Sequence, residues 1–131
     1  MHLGIDFGTT RTVVAFADRG NFPVVAFSDA AGDAHEYLPA QVALTGQGLV
    51  CGFAARSARE AGFPVLRSVK RALTSPAVNT ATTVSIGDVR VRLLDVLAAY
   101  LTHVRTSLEN TSTLSEARPN DPISAVLVAG P

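Results

Sequence analysis

The sequence predicts an α/β fold, and three observations carry that expectation. Leu3, Ile5 and Phe7 alternate with His2, Gly4 and Asp6, the period of a strand with one apolar face. Leu93, Leu94, Val96, Leu97, Tyr100, Leu101, Val104 and Leu108 recur at three- and four-residue spacing, which predicts an amphipathic helix over Leu93–Glu109. Beyond it, Ile123 to Val128 is a short apolar run. A strand reached through a helix most simply lies parallel to a neighbour in the first sheet.

The remaining elements follow in order. Thr12 to Ala17 is apolar at nearly every position, so the return strand is expected to be buried on both faces. Pro23 to Phe27 reads as a third strand with Pro at its first position, where a missing N–H is tolerated. Ser28 to Asp33 is a turn by its Asp, Gly and Ser content. Glu36 to Leu44 resumes an extended segment, Gln47-Gly48 turns, and Leu49 to Gly52 returns, giving a mostly antiparallel meander. Phe53 to Ala61 is rich in helix formers and is stopped by Gly62 and Pro64. Val65 to Leu73 predicts a second, shorter helical segment carrying Arg67, Lys70 and Arg71, broken at Thr74-Ser75-Pro76. Gly87-Asp88 joins Thr83–Ile86 to Val89–Val91 as a two-residue hairpin of the Gly-first kind. In the long helix, Asp95 falls in the first turn and Arg105 in the last, as the helix dipole favours. Asn110 to Asp121, with Pro119, reads as a polar loop.

Gly8-Thr9-Thr10 lies between the first two strands. Gly8 lets the backbone turn sharply and approach a ligand closely. The threonines offer hydroxyls and backbone N–H groups around a concavity suited to phosphate oxygens. Asp6 would repel phosphate unless a hard cation lay between them, and Mg²⁺ with retained waters is the usual one. The turn chemistry is equally satisfied by a tight hairpin whose Asp bonds its own turn. No Gly-x-x-x-x-Gly-Lys-Ser/Thr and no Gly-x-Gly-x-x-Gly occurs in the chain.

Composition narrows the classes. Eleven basic and eleven acidic residues cancel, with no basic run, which argues against a nucleic-acid partner. A lone Cys51 excludes an internal disulfide and suits a reducing compartment. With no charged leader followed by an apolar core and no bilayer-length apolar run, the expected location is cytoplasmic, with no membrane partner. A 47% hydrophobic content is high for 131 residues, and with the apolar run ending at Gly130-Pro131 it reads as an N-terminal fragment, a naturally short chain being the alternative. His2, His35 and His103 are too scattered for a metal site, and His103 is expected to be a partly exposed residue on the long helix. Cys51 reads as a buried, inert thiol.

Gly4-Ile5-Asp6-Phe7-Gly8-Thr9-Thr10 resembles the first phosphate motif of the superfamily that holds heat-shock chaperones, actin and sugar kinases. Further segments are similar, in register, to the N-terminal quarter of a seventy-kilodalton heat-shock chaperone's nucleotide-binding domain. Val25–Gly32 resembles its third strand and acidic turn, and Leu38-Pro39-Ala40-Gln41-Val42 its Pro-Ser-x-Val strand, with Ala replacing Ser. Val50–Ala55 resembles a Val-Gly-x-x-Ala helix start with Cys51 inserted, and Ser68–Leu73 a Lys-Arg-Leu segment. Ile86-Gly87-Asp88 and the helix after it resemble the family's hairpin and helix.

The resemblance implies a ribonuclease-H-like (actin-like ATPase) half-lobe, residues 1–38 and 115–131, with a smaller α/β subdomain inserted over 39–114. It implies that Gly8, Thr9 and Thr10 contact the β- and γ-phosphates of ATP, and that Asp6 holds Mg²⁺ through its waters. Lys70 would be the lysine that reaches the γ-phosphate and positions the attacking water, so Lys70 and Thr9 are the catalytic candidates. Arg11 departs from the smaller or aromatic polar residue usual there, and either touches phosphate or points outward. The parent would hydrolyse ATP to ADP and phosphate, acting with unfolded polypeptide clients and co-chaperones. A sugar kinase and an actin-like filament protein are the rival readings. An N-terminal fragment would expose apolar surface and an open sheet edge, and is expected to self-associate.

Overall fold

The structure, a computed structural model, describes residues 1–117 and 120–129. The expectations at Pro119 and Gly130-Pro131 lie outside the described residues. In chain order the elements are β1 (His2–Phe7), β2 (Arg11–Phe16), β3 (Phe27–Ser28), β4 (Ala34–His35), β5 (Leu38–Pro39), β6 (Val42–Thr45) and β7 (Gly48–Cys51). There follow α1 (Phe53–Glu60), β8 (Val65–Leu66), α2 (Val69–Leu73), β9 (Thr83–Ile86), β10 (Val89–Arg92), α3 (Leu93–Asn110), α4 (Thr113–Ala117) and β11 (Ala125–Ala129). The fold is mixed α/β with several small sheets.

The main sheet has the order β11-β1-β2-β5. β1 and β2 form the expected hairpin, Leu3 opposite Phe16 and Phe7 opposite Thr12. β11 runs parallel to β1, as a strand arriving through a helix should. Side chains alternate across this sheet. Leu3, Thr12, Val14 and Leu38 point to one face and are buried, while Asp6 and Arg11 on the other are exposed. The return strand is therefore buried on one face rather than two, because α3 covers only that side.

Tyr100 carries the contact between α3 and the sheet. It is completely buried, and its hydroxyl lies 2.7 Å from Thr12 Oγ1 and 3.4 Å from the Pro39 carbonyl. Phe7 packs against its ring at 5.7 Å between centroids. Val96, Val104 and Leu108 join the same cluster, which continues through Val42, Val69 and Ile86. Leu94 and Leu101, expected on the apolar face of the helix, are exposed.

Several expectations are corrected. Pro23 to Phe27 is not a full strand: only Val24 bridges Ala15, and regular pairing starts at Phe27 opposite His35. Val65-Leu66 is not helical but pairs with Ala43 and Val42 as β8, and the helix begins at Val69, capped by Ser68 Oγ accepting from Arg71 N–H. The polar loop after α3 contains a short helix, α4, whose cap Ser112 Oγ accepts from Leu114 N–H. α3 runs to Asn110, so Arg105 is not in its last turn and pairs with Glu109 at 3.1 Å. β11 lies exposed at the sheet edge rather than buried. No helix among the described residues is long and apolar enough to cross a membrane.

Removing the Tyr100 hydroxyl strands a buried partner. Tyr100→Phe is expected to lower stability by about 1–3 kcal/mol, the cost of leaving Thr12 unsatisfied. Adding Thr12→Val should recover much of that loss, because both polar partners are then gone. Urea midpoints of the two variants check this, and a double variant no better than Tyr100→Phe would contradict it.

Candidate functional site

The turn between β1 and β2 is closed by the Gly8 N–H donating to the Arg11 carbonyl at 3.0 Å. A Cβ on Gly8 would stand 2.6 Å from that carbonyl oxygen, so the residue type is dictated by the backbone crossing in front of it. Two-residue hairpin links usually need positive φ to follow the strand twist. Neither Thr9 nor Thr10 has it, so the link is of the unprimed kind that splays its strands. Both threonines are exposed, and no hydrogen bond to another described residue engages either hydroxyl. The Thr10 carbonyl accepts from Ala40 N–H at 3.1 Å and moors the turn to the end of β5.

Asp6 stands on the open face of the sheet, opposite Val13, with no partner among the described residues. Strand alternation puts Arg11 on that same face. Its guanidinium lies 4.5 Å from the centroid of the Tyr37 ring, a cation–π contact across adjacent strands. Arg56 reaches the same ring, donating from Nη1 to Tyr37 Oη at 3.2 Å. Arg11 is thus held sideways against Tyr37 beside the turn. Tyr37 and Arg56 carry no motif in the sequence, and only the fold brings them here.

Lys70 sits in α2 with 8% of its surface exposed, not on an exposed helix face, and forms no ion pair among the described residues. Lys70 lies four residues beyond Leu66, which pairs with Val42 of β6, and no hydrogen bond or ring contact among the described residues joins it to Asp6, Gly8, Thr9, Thr10 or Arg11. Val69, completely buried, fixes the helix from below.

Two concavities lie elsewhere. One, of about 530 Å³, separates the β1/β11 side of the sheet from α3 and is mainly apolar, with Leu3, Ile5, Leu101 and Val126 in its wall. The other, of about 470 Å³, lies between the β3–β4 hairpin, α1 and α3. Asp29 organises its rim: Oδ1 accepts from Ala31 and Asp33 N–H, and Oδ2 from His35 Nε2 at 2.8 Å. The His35 hydrogen bond, aided by the two backbone N–H groups, holds the Asp29 carboxyl below its ordinary range. Neither concavity is lined by Asp6, Gly8, Thr9, Thr10, Arg11 or Lys70. The turn carries exposed threonines and lies outside both concavities.

Burial governs the other titratable groups. It pushes the Cys51 thiol up to about 11, which keeps it protonated and inert, as expected. It pushes the Tyr100 phenol up to about 12, and it holds the His103 imidazole below 6.5. His103 is half-buried, in keeping with the partly exposed position expected, and its Nε2 packs directly under Gly52. Among the described residues, no group of three or more His, Cys, Asp or Glu side chains is arranged to hold a metal ion. No protein-family model matches the chain, and no curated protein matches it either.

Two glycines of the motif should behave differently. Gly8→Ala forces a Cβ against the Arg11 carbonyl and is expected to cost on the order of 1–3 kcal/mol. Gly4→Ala meets nothing within 4 Å and should leave the melting temperature nearly unchanged. Equal shifts in the two melting curves would contradict the account of the turn.

A pH profile reads His103. With its folded value depressed, the unfolded chain binds more protons as pH falls below 6.5, so the stability of the neutral ring is whole above that value and is lost below it. The urea midpoint should decline as pH drops from there, and His103→Gln should flatten that window. Asp29 contributes its own loss only further down, below 3.8. A variant that retains the full decline would overturn the assignment to His103.

Proposed function

We propose that this chain is the opening part of a nucleotide-binding domain of the heat-shock chaperone type, a ribonuclease-H-like half-lobe that takes the terminal phosphates of ATP at the Gly8-Thr9-Thr10 turn. The observation that carries this reading is the turn itself. A glycine that the backbone crossing requires is followed by two exposed threonines whose hydroxyls engage no other described residue. A hairpin that served only to reverse the chain would need the glycine but not two exposed threonines with unengaged hydroxyls. The antiparallel β1–β2 pair with a parallel neighbour reached through α3 supports the fold reading.

The residues present fit a phosphate with a hydrated cation. Thr9 and Thr10 supply donors, and Asp6, exposed and without a partner among the described residues, can accept hydrogen bonds from a cation's retained waters. Magnesium held there through its waters would supply charge neutralisation to the phosphate. Lys70 supports the reading from its own energetics. A lysine buried along its stem is ordinarily paired, and this one forms no ion pair among the described residues. Its ammonium suits a partner that carries negative charge, and in the parent it would stabilise charge on the transferring phosphoryl group. Arg11 and Arg56 raise the local positive potential beside the turn while resting on Tyr37. The parent chain would hydrolyse ATP to ADP and phosphate and use the conformational change on unfolded polypeptide clients.

This open site should bind weakly. A ¹⁵N-labelled chain titrated with ATP and Mg²⁺ is expected to show a Kd of roughly 1 mM, about 4 kcal/mol of binding free energy. The amide shifts should gather at residues 6–11 and 70, and Asp6→Asn should remove the dependence on Mg²⁺. Shifts confined to other parts of the chain, or none at saturating nucleotide, would refute the proposal.

A further inference from the structure

We propose that β11 is a self-association edge, through which two copies of this chain pair antiparallel about Leu127 and join their four-stranded sheets into one. The two edges of the main sheet are built differently. β5 is two residues long and contains Pro39, both of which discourage pairing by another chain. β11 is five residues long and carries no charge, proline or glycine. Among the described residues, no strand pairs with its outer side. Its N–H and C=O groups there require a hydrogen-bonding partner, and a strand supplies them in register.

The sequence of the strand selects a second copy. Ala125-Val126-Leu127-Val128-Ala129 reads the same in both directions. Turning one copy about a two-fold axis through Leu127 sets Ala125 against the other copy's Ala129, Val126 against its Val128 and Leu127 against its Leu127. Every cross-strand pair is then apolar and matched in size, and β-branched pairs of this kind stabilise a ladder. The chain has no net charge to oppose the approach of a like molecule. Val126, Leu127 and Val128 are 50%, 73% and 63% exposed, far above ordinary strand residues, and the pairing would cover them. With the axis normal to the sheet, Val126 and the other copy's Val128 share the α3 side. There they continue the apolar wall that Leu101 and Ile123 begin. The strip is smaller than a standard interface of about 1,200–2,000 Å², so the association is reversible and depends on concentration.

Sedimentation velocity of the 131-residue chain over a micromolar to millimolar series tests the proposal. The expected result is a shift from monomer to dimer mass. Leu127→Lys and Leu127→Glu each place like charges on the axis and should remain monomeric. Circular dichroism should show both folded, since the side chain is exposed. Mixing the two variants should restore a dimer by opposite charge. A wild-type chain monomeric at millimolar concentration overturns the proposal. So does a dimer that survives both charged variants, or one lost on Leu101→Lys but not on Leu127→Lys, which would place the contact on the α3 groove. A mixture that fails to pair overturns it as well.

Discussion

The arrangement of the turn depends on one buried hydroxyl pair, Tyr100 Oη and Thr12 Oγ1. A phenol has a single proton. With that proton directed at the Pro39 carbonyl, the 2.7 Å contact is satisfied only if Thr12 donates to the phenolic oxygen. One residue of α3 thereby fixes β2 and β5 together, and its ring receives Phe7 from β1. All three strands that frame the turn rest on Tyr100. Burial raises the phenol to about 12, so it remains a donor at neutral pH. A polar anchor also specifies register: sliding β2 by one residue would put Thr12 on the solvent face and leave the Tyr100 hydroxyl in an apolar site.

The parts of the fold written in local pattern were legible in the sequence. The β1–β2 hairpin, the Gly87-Asp88 hairpin, α1 and α3 all follow from periodicity and turn chemistry, and each is present. Elements decided by distant partners were not. Val65-Leu66 is too short to show a period, and it is a strand because Val42 and Ala43 lie opposite. α4 spans five residues, and its one signal is Ser112, whose hydroxyl caps it while donating to Leu108 O. The apolar composition of β11 suggests burial, but composition does not reveal that one side of a strand has no neighbour. The buried cluster itself draws on stretches far apart in the chain. Val42, Val69 and Ile86 belong to the same buried cluster as Leu3 and Val14.

At the site the same division holds. Asp6, Gly8, Thr9 and Thr10 are adjacent in sequence, so their grouping was readable, and Gly8 stands where the backbone demands it. Arg11 was ambiguous because its orientation is set by Tyr37, twenty-six positions away and brought alongside by the Arg11–Pro39 pairing. A guanidinium spread over a ring gives up little hydration and remains able to hydrogen-bond at its edge. Two such groups near one ring act on the turn mainly through their field. That field is screened over about 8 Å at physiological salt, which confines their influence to the immediate surroundings of the β2–β5 end.

Lys70 shows how a charge can be placed without a counter-ion among the described residues. Val69 anchors α2 in the core, and Ser68 caps its first turn, so the helix is fixed by packing and hydrogen bonding on either side of the lysine stem. Neither contact involves the ammonium. A salt bridge would have held the side chain equally well but would have consumed the charge and required its release before any ligand could use it. A lysine held by its methylenes keeps its charge available and needs no reorganisation when an anion arrives.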